Sequence, residues 1–206
     1  MKFFDYNSGF MRFSLLLSRL TLLNLIWLLC CIPLVTAGAS TAAQYYSIKQ
    51  LMNGDTAVFK NFRTGMKLYW KGATITWLIL AVLSGIFSMA YYILTTADIP
   101  ARAALLSVAA LAFLTLLLTM LWVYPVMINF VGNLREIFFN AFIFTFMYAP
   151  LTLIAAAFYV AAGFLLIRFI LTRGLVILFG QALVVYANLN LFDKAFQKYR
   201  KTDEAL

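Results

Sequence analysis

The stretch from Ala103 to Phe130, AALLSVAALAFLTLLLTMLWVYPVMINF, runs 28 residues without a charge. A helix rises about 1.5 Å per residue, so about 20 apolar residues cross the ~30 Å hydrocarbon layer of a bilayer. Backbone polar groups in lipid must be satisfied internally, so such a run is a spanning helix. On one side of it lie the apolar runs Leu15–Val35 and Gly72–Leu94, and on the other a broken run from Phe138 to Ile170 and then Gly174–Leu191. Pro150 divides the broken run into an interfacial helix reaching about Tyr148 and a span from Leu151 to Arg168, joined to the last by Leu171-Thr172-Arg173. The fold class predicted is all-α: a polytopic integral membrane helical bundle, one domain over residues 1–206. Its spans are expected at about 15–35, 72–94, 103–130, 151–168 and 174–191, its interfacial helices at about 40–52, 58–71 and 134–148, and a tail at 193–206.

Composition agrees with lipid as the solvent. Of 206 residues, 65% are hydrophobic and 11% charged, against roughly 45–50% and ~25% in soluble proteins. The first run has Lys2, Arg12 and Arg19 ahead of it and Val35-Thr36-Ala37 behind it, the order of a signal peptide, but its lead is long for one. Pro33 is expected to kink or end that helix. The aromatic residues Phe3, Phe4, Tyr6, Phe10 and Phe13, interleaved with Lys2, Asp5 and Arg12, suit a membrane interface.

The balance of 16 Lys+Arg against 7 Asp+Glu is basic. No nucleic-acid recognition motif accompanies it, and in an apolar chain such residues gather beside spans and face anionic headgroups. Lys60, Arg63, Lys67 and Lys71 share one helical face, with Phe59, Phe62, Met66 and Trp70 on another, the pattern of a helix lying on a membrane surface. Five spans put Lys49, those four cations, Arg135, Lys194, Lys198, Arg200 and Lys201 on one side, ten of the 16. By the excess of cations on the cytoplasmic side, the C-terminus is expected in the cytoplasm and the N-terminus outside the plasma membrane.

The chemistry missing from the sequence narrows function. It has no histidine, so neither a Ser/His/acid arrangement nor a His/Cys zinc cluster can form. No phosphate loop or dinucleotide fingerprint occurs, and Asp5, Asp55, Asp98, Glu136, Asp193, Asp203 and Glu204 all fall in expected loops, interfaces or the tail. No catalytic residue, metal or cofactor is expected. Cys30 and Cys31 are adjacent in an apolar run and read as small apolar side chains.

The spans carry neutral polar groups instead. Ser14, Ser18, Thr21 and Asn24 form a stripe on the first, and Ala112, Thr115, Thr119, Trp122, Val126 and Asn129 one face of the third. Gly174, Gln181 and Asn188 recur on the last, while Ala81/Gly85 and Ser84/Ser88 are small pairs on the second. Helix packing uses such residues. The functional reading of Asn24, Thr115, Thr119, Asn129, Gln181 and Asn188 is a polar cavity for an uncharged solute such as a sugar. Tyr124-Pro125 is expected to break the end of the third span.

The stretch Asn24-Leu25-Ile26-Trp27, continuing through Pro33, Thr36, Gly38 and Thr41 to Tyr46, resembles the N-terminal signature of the YesL family, small bacterial membrane proteins classed as a domain of unknown function. Phe59–Lys71 and Ala187-Asn188-Leu189-Asn190-Leu191-Phe192 also fit; Cys30-Cys31 and Ala37 are departures. The resemblance implies a Gram-positive plasma-membrane protein associated with carbohydrate uptake and use. It makes Asn24, Trp27, Pro33, Thr36, Gly38 and Thr41 signature residues of a tightly packed interfacial turn. Three functions follow as expectations: an accessory or regulatory partner of a sugar transporter or signalling protein, a small transporter or channel for a neutral solute, or an anionic-lipid-binding protein. Partners compatible with them are anionic headgroups, such a membrane protein, or a second copy of the chain, and no nucleic acid.

Overall fold

The computed structural model describes residues 9–96 and 101–203, and every regular element among them is helical. The expectations placed on Lys2, Phe3, Phe4, Asp5, Tyr6, Asp98 and Glu204, and on side chains from 198 onward, lie outside the described residues. Helix α1 spans Gly9–Cys31, α2 Ala37–Met52, α3 Val58–Thr96, α4 Arg102–Asn129, α5 Leu134–Met147, α6 Ala149–Arg168 and α7 Ile170–Leu175. A π-helical turn, Val176–Gly180, joins α7 to α8, Gln181–Asp203. Five helical stretches are long and apolar enough to cross a membrane: α1, α3, α4, α6 and Thr172–Gln197. The protein is an all-α helical bundle compatible with a multi-pass membrane protein.

Five expectations are corrected. The first helix ends at Cys31, short of residue 35, because Pro33 has no N–H to continue the ladder and disfavours helical geometry at Ile32. A 3-10 turn, Leu34–Thr36, then reverses the chain, with Thr36 Oγ1 donating to the Pro33 carbonyl at 2.8 Å. The expected interfacial helix at 40–52 is instead α2, with ten buried residues from Gly38 to Lys49. Its small side chains let neighbouring backbones close in on it.

The expected surface helix at 58–71 has no boundary before the span at 72–94. Both belong to α3, 39 residues long and therefore roughly 58 Å, about twice the hydrocarbon thickness. Phe62 is buried and Met66 half-buried toward α2 and α1, so the apolar face of this segment packs on protein, while Phe59 and Trp70 are exposed. Lastly, the segment from 193 continues α8, and Ala195 and Phe196 are core residues. Pro125 likewise sits buried inside α4, which runs on to Asn129.

The expected helix at 134–148 appears as α5, started by a reciprocal cap: the Asn133 side chain accepts from the third-residue backbone N–H, and the Asn133 N–H donates to Glu136 Oε2 at 3.1 Å. Pro150 occupies the first turn of α6, where no intrahelical donor is needed. Trp122 of α4 binds the C-terminal half of the bundle. Its ring stacks on Phe192 at 3.9 Å between centroids, and its Nε1–H donates to Thr152 Oγ1 at 2.9 Å.

Candidate functional site

Helix α2 sits at the centre of the polar interior. It runs antiparallel to α3, and two glycines set how closely the pair approaches. A Cβ on Gly38 would stand 2.3 Å from the Ala73 carbonyl oxygen and 2.5 Å from Trp77 Cβ; one on Gly65 would stand 3.0 Å from Ala43 Cα. Against α1, Trp27 Nε1–H donates to Thr41 Oγ1 at 3.1 Å, and Ser40 Oγ donates to the Trp27 carbonyl at 3.2 Å. Trp77 Nε1–H closes the same corner by donating to the Leu34 carbonyl at 2.8 Å.

Asn24 does the work of a peptide unit. Its Nδ2–H donates to the Ile177 carbonyl at 2.7 Å, and its Oδ1 accepts the Ala182 N–H at 3.0 Å. These backbone groups are five residues apart, the pair a π-turn sets against each other. The Asn24 carboxamide bridges them, and Gln44 Nε2–H donates to the same Oδ1 at 3.4 Å. α1, α2 and the π-turn are thereby joined through one side chain, itself 1% exposed.

Next to this bridge three tyrosines meet. Tyr45 of α2 stacks on Tyr124 of α4 at 5.7 Å, and its hydroxyl lies 3.1 Å from that of Tyr159 on α6. The carboxamides of Gln181 and Asn188 flank Tyr159. Both amide atoms of Asn188 are buried, and neither reaches a partner at hydrogen-bonding geometry; the same holds for Gln44 Oε1. One turn on, Lys49 of α2 forms an ion pair with Asp193 of α8, the side chains 10% and 23% exposed. Expected on a surface helix and in a tail respectively, the two charges neutralise each other where α2 and α8 cross.

The structure therefore divides the expected polar set. Asn24, Gln181 and Asn188 converge around α2. Thr115 and Thr119 bond to carbonyls of their own helix, those of Leu111 and Thr115, and Asn129 Nδ2–H donates to the Pro125 carbonyl. Ser18 and Thr21 likewise bond backward within α1, so the expected stripe contributes Asn24 alone to the interior. Gln44, Tyr45, Tyr159 and the Lys49–Asp193 pair were missed. Ser40, Gln44 and Ser47 do recur at helical spacing, a signal present in the sequence.

Lys60, Arg63, Lys67 and Lys71 are all exposed on α3, on the side turned from Phe62 and Gly65. Among the described residues the only ion pair is Lys49–Asp193, so none of these four is neutralised by one. At the start of α3 the Ala57 N–H donates to Asp55 Oδ1 at 2.9 Å and holds that carboxyl below its ordinary pKa. Among the described residues no group of three or more His, Cys, Asp or Glu stands close enough to hold a metal ion.

The sequence pattern of a family described as "Protein of unknown function, DUF624" matches residues 20–91. That segment holds the second half of α1, all of α2 and the larger part of α3, the three helices knitted by Asn24, Trp27, Gly38 and Thr41. No curated protein and no solved structure matches the chain.

Proposed function

We propose that this chain is a YesL-type accessory membrane protein, one that acts by contact with a membrane partner engaged in carbohydrate uptake or use rather than by catalysis. The uncharacterised family matched over residues 20–91 is compatible with that kinship, and the link to carbohydrate rests on the resemblance of the signature from Asn24 to Tyr46. The observation that carries the reading is the placement of the chain's chemistry. The interior polar groups bind helix to helix, whereas four exposed cations, Lys60, Arg63, Lys67 and Lys71, stand in succession along one face of α3. Those four stand on a helix continuous with a spanning segment and braced by α2, a rigid platform for an acidic loop of a sugar transporter or signalling protein.

In this reading the basic end and the C-terminus face the cytoplasm and the N-terminus faces outward. A C-terminal reporter should therefore score as internal, and an external score reverses the topology. To test the partner, a photo-crosslinking residue placed at position 63 or 67 should yield a discrete protein adduct in native membranes. Recovery of the isolated chain alone refutes the accessory role, and recovery of lipid adducts alone transfers the face to anionic headgroups. A neutral-solute transporter is favoured by one feature, the buried Asn188 carboxamide, which lies beside Tyr159 without a well-aligned hydrogen bond. Reconstituted vesicles that pass no sugar remove it.

A further inference from the structure

A groove of about 520 Å³ lies between α3 and the connection from α4 to α5. Most of its lining side chains are apolar, Ile75, Leu134 and Ile137 among them, and Lys71, Asn129 and Asn133 add a polar part. The position of the groove along both helices matters more than its size. On α3 the four cations end at Lys71, and no charge follows through Thr96. On α4 no charge occurs from Ala103 to Asn129, and polar side chains gather at and after its end, at Asn129, Asn133 and Arg135. Two separate segments thus change from apolar to polar at one level, and the groove straddles that level. A bilayer has such a boundary, where acyl chains give way to glycerol and phosphate.

We infer that this groove holds one anionic phospholipid, its acyl chain along Ile75, Leu134 and Ile137 and its phosphate at the Lys71 ammonium. Charge complementarity selects the occupant. Lys71 has no ion-pair partner among the described residues and Lys67 stands one turn away. Glu136, on the α5 segment beside the groove, accepts the Asn133 N–H of the α5 cap. A soluble phosphate would use the polar part and leave the apolar side chains uncovered. A lipid uses both. The groove shares Lys71 with the basic face proposed above, but its remaining lining lies apart from that face, and lipid retention by the isolated chain succeeds or fails independently of a protein adduct at position 63 or 67.

The test is native mass spectrometry of the full chain in mild detergent, offered phosphatidylglycerol or phosphatidylcholine with identical chains. One phosphatidylglycerol should be retained in preference to phosphatidylcholine. Lys71→Gln should reduce that preference about fivefold, the scale of one cation near an anionic lipid surface, and Lys71→Arg should keep it. Ile75→Trp, which fills the groove, should release both lipids. Lys194→Gln removes the same charge from a residue outside the groove and should change nothing. Equal retention of the two lipids by the native chain overturns the inference, as does an equal loss from Lys194→Gln and Lys71→Gln. Full displacement of the lipid by glycerophosphate, which has no acyl chain, also overturns it. Should Lys71→Gln not fold, the comparison of Ile75→Trp with the native chain still decides.

Discussion

Helix α2 carries Ser40, Thr41, Gln44, Ser47 and Lys49 and is enclosed by α1, α3, α4 and α8. The distal hairpin, formed by the second half of α3 and the first half of α4, exposes Val82, Ile86, Met89, Val108 and Leu111. In a water-soluble domain these two regions would exchange places. Lipid tails are as apolar as leucine, so a long aliphatic side chain gains little by turning inward, and helices associate instead through small residues and hydrogen bonds. The lesson is that polarity and small size mark the interior of this bundle, while bulk apolarity marks its rim.

The largest expected effect breaks the tight side of that comparison. Gly38→Leu forces side-chain atoms against the Ala73 carbonyl and Trp77 Cβ. Backbone cannot yield as a flexible side chain does, so the cost should exceed the ~1–3 kcal/mol usual for overpacking and abolish a monodisperse folded peak in detergent. Next is Lys49→Ala, which leaves Asp193 as a partly buried carboxylate without its cation. The loss should be about 3 kcal/mol, the lower end for a broken buried pair, since the Asp193 side chain is 23% exposed. Lys49→Met combined with Asp193→Leu should recover most of it in a thermal-unfolding series. If the single and double variants unfold at the same temperature, the pair does not clamp α2 to α8.

A smaller effect sharpens the role of the bridging carboxamide. Asn24→Leu strands the Ile177 carbonyl and the Ala182 N–H, at about 1–3 kcal/mol as unsatisfied backbone groups. The loss should appear as faster hydrogen exchange confined to residues near the π-turn; unchanged exchange there would mean that the turn closes without Asn24. At the bottom of the scale lies the hairpin, where a Cβ on Gly85 meets nothing within 4 Å. Gly85→Leu should shift stability by no more than about 0.5 kcal/mol. A loss of folded protein comparable to that of Gly38→Leu would show that the hairpin's outer face is packed against something.

Particular residues show how far the sequence could be read. The charge-free run of α4 announces a spanning helix without any knowledge of neighbours, and the Asn133/Glu136 cap and Pro150 mark the ends of α5 and α6 where they occur. Helix α2 was misread because its composition, small and polar, is the same for a segment at a wet interface and for one at the centre of a lipid-embedded bundle. The join inside α3 was misread because the change from basic to apolar at Lys71 marks a change of solvent, which the backbone ladder crosses uninterrupted. In the candidate site, Asn24 and Asn188 stood out as amides in apolar runs, while Tyr45, Tyr159 and Lys49 had nothing local to single them out.

Sequence alone determined the helical class, the five apolar stretches and the gathering of positive charge beside them, because each depends on side chains within one helix and on the solvent around it. Only the tertiary structure decided that α2 is the centre, that Asn24 closes the π-turn at Ile177 and Ala182, and that Lys49 finds Asp193. The last two depend on groups more than a hundred residues apart along the chain, and the first on four helices at once, so no segment specifies its partner until the helices have packed.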